Sequence, residues 1–256
     1  MSKTTERSVQ DLLGKVAIVT GAGRNIGRAI ALQLAQAGAS VVVNARSNKV
    51  EADSVVREIK AAGGKALAVL GDVGDPKAVA ALADATLKKF GRIDILVNNA
   101  ALRAEKKFDA MTYDDWRAVM NGTLDSAFHC VKACLPALKK AGGGTIINIG
   151  GMSAHIGSKN RAHVLTAKAG LVGFTRALAH DLAAAHITAN CVVPGAVDTS
   201  RSGDSKPAHH LTHGTITGVR GKPDDVAAMV RFLAGPGGRY VTGQTIHVSG
   251  GAYLGS

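Results

Sequence analysis

The sequence predicts an α/β fold, a doubly wound sheet of seven parallel strands with helices on both faces. Three observations carry this. Short apolar runs without polar alternation recur along the chain, as in strands buried on both sides. Stretches with helical spacing separate them throughout. The first run leads through a glycine-rich turn directly into a helix.

That first unit spans Lys15 to Ala37. Val16–Val19 is the strand, and Ile26, Ala29, Ile30, Leu32 and Leu34 form the apolar face of the helix. Between them lies Thr20-Gly21-Ala22-Gly23-Arg24-Asn25-Ile26-Gly27. A helix N-terminus leaves backbone N–H groups unpaired and carries partial positive charge. A diphosphate docks there if side chains leave room, and Gly21, Gly23 and Gly27 supply it. Their spacing is G-x-G-x-x-x-G rather than G-x-G-x-x-G. A tight strand–helix connection also uses glycines, but the order strand, turn, helix favours the phosphate site.

Further runs follow at Val41–Val43, Ala66–Leu70, Ile93–Val97, Thr145–Ile149, Ile187–Val193 and Thr245–Val248. Helices are expected near 26–37, 49–62, 76–90, 113–140, 161–185 and 224–234. Residues 1–13 read as a polar leader and 14–256 as one dinucleotide-binding domain. No Pro-, Gly- or Ser-rich linker and no internal repeat divides it.

The composition excludes several classes. No apolar run is long enough to span a bilayer, and the first residues lack the apolar stretch of a signal peptide. Three cysteines give no disulfide framework, so a reducing cytoplasm is the expected setting. The net charge of +12 raises nucleic-acid binding. Against it, the cations are scattered and only 4% of residues are aromatic, too few to stack bases. A polyanionic cofactor accounts for the charge more simply.

In doubly wound sheets ligands sit beyond the carboxyl ends of the strands. After the second run stands Asn44-Ala45-Arg46, without the carboxylate that accepts bonds from a ribose 2′-hydroxyl. Arg46, with Arg24 in the turn, favours a 2′-phosphate instead, hence NADP(H) over NAD(H). Asp72-Val73 follows the third run, Asn98-Asn99-Ala100-Ala101 the fourth, and Pro194-Gly195-Ala196-Val197-Asp198-Thr199 the sixth.

Taken together these residues resemble the short-chain dehydrogenase/reductase family, in particular its 3-oxoacyl-carrier-protein-reductase-like members, over Leu13 to Tyr253. Thr20-Gly21-x-x-x-Asn25-x-Gly27 is similar to its T-G-x-x-x-G-x-G turn, with Asn25, a residue tolerant of left-handed backbone, at the middle glycine. Asn98–Ala101 resembles N-N-A-G. Gly221-Lys222-Pro223-Asp224-Asp225-Val226-Ala227 and Tyr240-Val241-Thr242-Gly243-Gln244 resemble its C-terminal signatures. The resemblance implies a Rossmann-like oxidoreductase. It implies cofactor contacts from Gly21, Gly23, Arg24, Asn25, Ile26, Gly27, Arg46, Asp72, Val73, Asn99, Ala100, Lys168, Pro194, Gly195, Val197 and Thr199. It also implies a homodimer or homotetramer, the helices at 113–140 and 161–185 packing between subunits.

The family's catalytic pattern is broken here. The resemblance identifies Lys168 as the family's lysine, which places Val164 at the tyrosine, Gly151 at the serine and, through Trp116 and Phe128, Thr123 at the asparagine. Arg161 occupies the alternative tyrosine position of enoyl reductases. Replacement groups are sought nearby: Ser153 for the substrate oxygen, His155 for proton transfer, and Lys168 itself. His155 as a backbone-bonded loop histidine and Ser153 as a turn or cap residue are the plainer alternatives. His163 should face elsewhere, because neighbouring helical side chains diverge by about 100°. Cys130 and Cys134 fit core packing better than redox chemistry. His209, His210 and His213 invite a zinc site, but no carboxylate or cysteine stands at ligand spacing, so no metal is expected. Two functions remain: an oxidoreductase with a divergent active site acting on an unknown carbonyl or alcohol, or a catalytically silent NADP(H)-binding sensor or partner subunit.

Overall fold

The computed structural model describes residues 10–199 and 214–255. Seven strands form one sheet: β1 Val16–Val19, β2 Ser40–Ala45, β3 Lys65–Leu70, β4 Ile95–Asn98, β5 Gly144–Ile149, β6 Ile187–Pro194 and β7 Thr245–Val248. Their spatial order is β3-β2-β1-β4-β5-β6-β7, and every pairing is parallel. The chain winds outward from β1 to β3, then returns to lay β4 on β1's other side. That reversal opens a crevice at the carboxyl ends of β1 and β4.

The period of two along the strands builds two cores. Ala17, Val19, Val41, Val43, Ile95 and Val97 pack on one face against α1 (Asn25–Gln36), α2 (Lys49–Ala61) and α8 (Pro223–Ala234). Ile18, Val42, Leu96 and Ile146 pack on the other against α3 (Pro76–Phe90), α5 (Ser126–Lys140) and α7 (Ala162–Asp181). Cys130 and Cys134 lie in this second core, and burial pushes the Cys134 thiol up to about 12. Two shorter α-helices are also present: α4 (Tyr113–Met120) and α6 (Ser153–Ile156).

Three features of the structure differ from the sequence reading. The helix expected over 113–140 is interrupted: a π-turn at Asn121–Asp125 separates α4 from α5. An apolar pattern does not register one extra residue in a turn. Ile93 is buried but precedes β4 rather than opening it. Leu12, assigned to the polar leader, is 1% exposed and packs in the first core, its N–H donating to Ala37 O at 2.8 Å. Leu12 is therefore part of the packed core. Among the described residues no helix is long and apolar enough to cross a membrane.

Candidate active site

A cleft of about 1000 Å³ runs along the carboxyl ends of the strands, large among small-molecule pockets. At its centre is the glycine turn, fixed from two sides. Thr20 Oγ1 accepts from the N–H groups of Asn99 and Ala100, both at 3.0 Å. Asn99 Nδ2 donates to the carbonyls of Thr20 (2.9 Å) and Gly21 (3.0 Å). From β2, Ala22 N–H donates to Asn44 O at 2.8 Å, and Asn44 Nδ2 donates to Val69 O and Gly71 O. Buried Thr20 and Asn44 are thus positioning residues that sequence reasoning passed over, because their partners lie on other strands.

Inside this frame the turn needs its unusual backbone. Asn25 has φ 52°, the left-handed conformation expected of it. Gly27 has no room for a side chain: an added Cβ would stand 2.3 Å from Gly21 O and 2.5 Å from Asn99 Nδ2. The N-terminus of α1 has no side-chain cap and no acidic residue in its first turn. By contrast, Asn48, Asp75 and Thr112 cap α2, α3 and α4. No acidic residue of α1's own first turn competes for its N–H groups, and Glu51 of α2 is the carboxylate that approaches the turn, at Gly23.

Toward β2, Arg46 is exposed on the cleft wall and makes no ion pair among the described residues. Arg24 lies 3.9 Å from Glu51, another wall residue. Glu51 went unremarked in the sequence because it stands on α2, not at the strand end.

Toward β5 the cleft carries Lys168. Its Nζ donates to Ile149 O at 2.5 Å, and the side chain is buried. Burial, then the positive charges of Arg103 and Arg161, bring its pKa down to about 7; Cys191 opposes them. A buried ladder steadies this end. Asn98 Nδ2 donates to Asn148 Oδ1 at 2.9 Å, and Asn148 Nδ2 to Thr175 Oγ1 at 2.9 Å, joining β4, β5 and α7.

The residues expected at the family's other catalytic positions are Val164, Gly151 and Thr123. Val164 lines the cleft and packs with Val119, Met120 and Ala167. Gly151 also lines it, and an added Cβ would meet only Lys168 Cγ, at 3.8 Å. Thr123, in the π-turn, is buried and accepts from Leu102 N–H at 3.2 Å.

Every residue expected to contact cofactor lines this cleft, as does Ser153. His155 does not. It sits on α6, where its ring lies 4.6 Å from that of His247 and 5.5 Å from that of Tyr253. Burial, then Arg176, holds its pKa below the usual imidazole range. Its contacts are aromatic, from the far end of the chain, and it is not a bonded loop histidine. His163 is fully buried and off the cleft, as the helical period requires. His209, His210 and His213 lie outside the described residues; among those described, no cluster of three or more metal-binding side chains occurs.

A parallel sheet with this switch point and glycine turn defines a nucleotide-binding oxidoreductase framework, and the chain belongs to the short-chain dehydrogenase/reductase family. Residues 21–253 match the family profile described as enoyl-(acyl carrier protein) reductase. A 3-oxoacyl-[acyl-carrier-protein] reductase of Synechocystis is 41% identical over 244 residues, covering 95% of this chain and 98% of that protein. Two solved structures share the fold closely. A Burkholderia cenocepacia short-chain dehydrogenase in complex with NADP has TM-score 0.88 and 36% identity, over 94% of this chain and 99% of that one. A blue fluorescent protein from a metagenomic library, in complex with NADPH, has TM-score 0.89 and 38% identity, over 95% and 100%.

Proposed function

We propose that this chain binds NADP(H), in preference to NAD(H), and interconverts a carbonyl and an alcohol without the family tyrosine. The observation that carries the reading is the continuity of one cleft, from Arg46 past the uncapped end of α1 to Lys168. The residues present fit the cofactor. Gly27 lets α1 pack closely on the turn so that its N-terminus can meet a diphosphate, Arg46 offers charge to a 2′-phosphate, and Lys168 would hold the nicotinamide ribose. The NADP- and NADPH-bound structural relatives support the same cofactor. The names of the curated relatives support an oxo substrate.

When bound, the reduced nicotinamide supplies a hydride to the carbonyl carbon; the balance is one NADPH and one proton consumed per alcohol formed. The chain's part is to supply that proton and hold the oxygen. Lys168, buried at this end of the cleft and favoured in its protonated form by the cofactor's charge, carries a proton to donate. Ser153 adds a hydroxyl on the same wall. His155, placed with His247 and Tyr253, has no part in this scheme. A carbonyl panel followed by NADPH absorbance tests it. Turnover lost in Lys168→Met and Ser153→Ala supports it; turnover unaffected by both refutes it.

Val164, in its apolar cluster, favours the second reading of a silent NADP(H) sensor or partner subunit. Tight NADPH binding with no turnover across the panel selects that reading. We also propose a homodimer or homotetramer, supported by Phe128, half exposed on α5, and testable by sedimentation. The three cysteines are free and buried, which suits a reducing cytoplasm.

Two binding predictions follow from the charges. Arg46→Ala should lower NADPH affinity about 10–100-fold, since a hydrogen bond to a charged group contributes roughly 1.5–3 kcal/mol. NADH affinity should hardly change, and calorimetric titration compares the two. The second concerns pH. A polyanionic ligand favours protonated Lys168, so the bound pKa lies above the free value of about 7. Binding then takes up a proton. NADPH affinity should be greatest below pH 7 and fall as pH rises from 7 to the bound value. Lys168→Ala should abolish this dependence and weaken binding.

A further inference from the structure

We propose a second ligand site, for a small organic phosphate ester, at the end of the sheet opposite the cofactor cleft. A pocket of about 550 Å³ opens there, within the usual range of small-molecule sites. Its walls come from the starts of β1, β2 and β3 and from the ends of α2 and α3. The six residues of β2 hold it roughly 15–20 Å from the cleft. Lys60, Lys65, Lys89 and Arg92 line the pocket, and no carboxylate does among the described residues. Arg92 is engaged: its Nε and Nη2 donate to Asp94 at 2.8 and 2.6 Å, and Asp94 also accepts from Lys15 Nζ at 3.2 Å. The side chains of Lys60, Lys65 and Lys89 make no ion pair or hydrogen bond among the described residues.

Lysines are common in the last turn of a helix, where they meet its open carbonyls. Here the chain closes those ends itself. Gly63 N–H donates to Lys60 O at 3.0 Å, Gly64 N–H to Ile59 O at 2.9 Å and Gly91 N–H to Leu87 O at 2.8 Å. Lys65 opens a strand, so a helix end does not account for it. The kind of cation selects the ligand. A carboxylate pairs best with a planar guanidinium fork, and the fork in this pocket already holds Asp94. Ammonium groups are compact point charges with three donors each, suited to the several oxygens of a phosphate. A dianion also relieves the mutual repulsion of three unpaired charges. Ser40 adds a hydroxyl that makes no hydrogen bond among the described residues. Half-buried Phe90, with Val16 and Ala66, supplies an apolar wall for the organic body of an ester. A bare phosphate ion would leave that wall to water.

Lysine footprinting of the whole chain tests this. The protein reacts with limiting acetic anhydride, alone or with phenyl phosphate, ribose 5-phosphate or inorganic phosphate, and mass spectrometry reads acetylation at each lysine. With an ester at twice its dissociation constant, Lys60, Lys65 and Lys89 should react about threefold more slowly. Exposed Lys132 and Lys139 of α5 should be unaffected. At least one of the two esters should protect at lower concentration than inorganic phosphate, and added salt should weaken that protection. Lys60→Gln with Lys89→Gln should return Lys65 to its unprotected rate. Both substitutions are at exposed helix ends, and a melting curve like that of the parent chain shows that the fold survives. An ester bound only in the cofactor cleft leaves these three lysines unprotected, so the two sites are told apart. Absent or uniform protection, inorganic phosphate protecting as well as both esters, or protection of Lys65 that survives the double variant would overturn the proposal.

Discussion

Val164→Tyr combined with Gly151→Ser is expected to raise NADPH-dependent carbonyl reduction by about 10²–10⁴-fold, the usual contribution of a positioned acid–base group. The framework for both side chains is already built. A Cβ at residue 151 meets nothing nearer than Lys168 Cγ at 3.8 Å. Residue 164 faces the cleft one helical turn from Lys168. A tyrosine there directs its hydroxyl into the same space, where an ammonium beside it lowers a phenol's pKa. The ring must leave the cluster of Val119, Met120 and Ala167, so some loss of stability accompanies the gain. Initial rates across a carbonyl panel measure the effect. Rates equal to those of the parent chain would mean that the substrate pocket has diverged beyond these positions.

Gly27→Ala is expected to remove cofactor binding and to lower the melting temperature. The new methyl group would stand 2.3 Å from a backbone oxygen and 2.5 Å from Asn99 Nδ2. The first of these is main chain and cannot swing aside. The second belongs to the side chain that bonds Thr20 O and Gly21 O. Overpacking of this kind costs roughly 1–3 kcal/mol, or about 2–12 °C of melting temperature in a domain of this size. NADPH affinity should fall more than 10-fold, since a shift of about 1.4 kcal/mol already does that. Gly173→Ala is the control: its added Cβ meets nothing within 4 Å in the middle of α7, and a helical alanine there should stabilise by roughly 0.5–1 kcal/mol. Thermal melts and titrations on the pair separate a local clash from a general intolerance of substitution.

Much of this site is legible in the order of residues because its signals are local. The apolar runs mark seven strands to within a few residues, since a strand buried on both faces needs no polar alternation. Asn25 reads as a left-handed turn residue and has φ 52°. His163, one position from Val164, turns away because a helix turns about 100° per residue. Other features are invisible at that range. His155 adjoins the cleft in sequence, yet its ring lies edge-on to His247 and tilted to Tyr253, which come from β7 and the segment after it. Leu12 looks like part of a polar leader, but α1 and α8 create the apolar niche that buries it. The π-turn at Asn121–Asp125 leaves no mark in the pattern, because one extra residue per turn conserves composition.

By itself the sequence determined the winding of the sheet and the glycine turn, and it set the expectation that Val164, Gly151 and Thr123 stand in place of the family's catalytic groups. Each is written in neighbouring residues, where spacing fixes backbone geometry. Tertiary structure alone decided that Lys168 is buried against Ile149 O with a pKa near 7, and that Arg103 and Arg161 converge on it. It also decided that His155 belongs to a different cluster. A charge's energy depends on what surrounds it in space, and those surroundings are assembled from segments far apart along the chain.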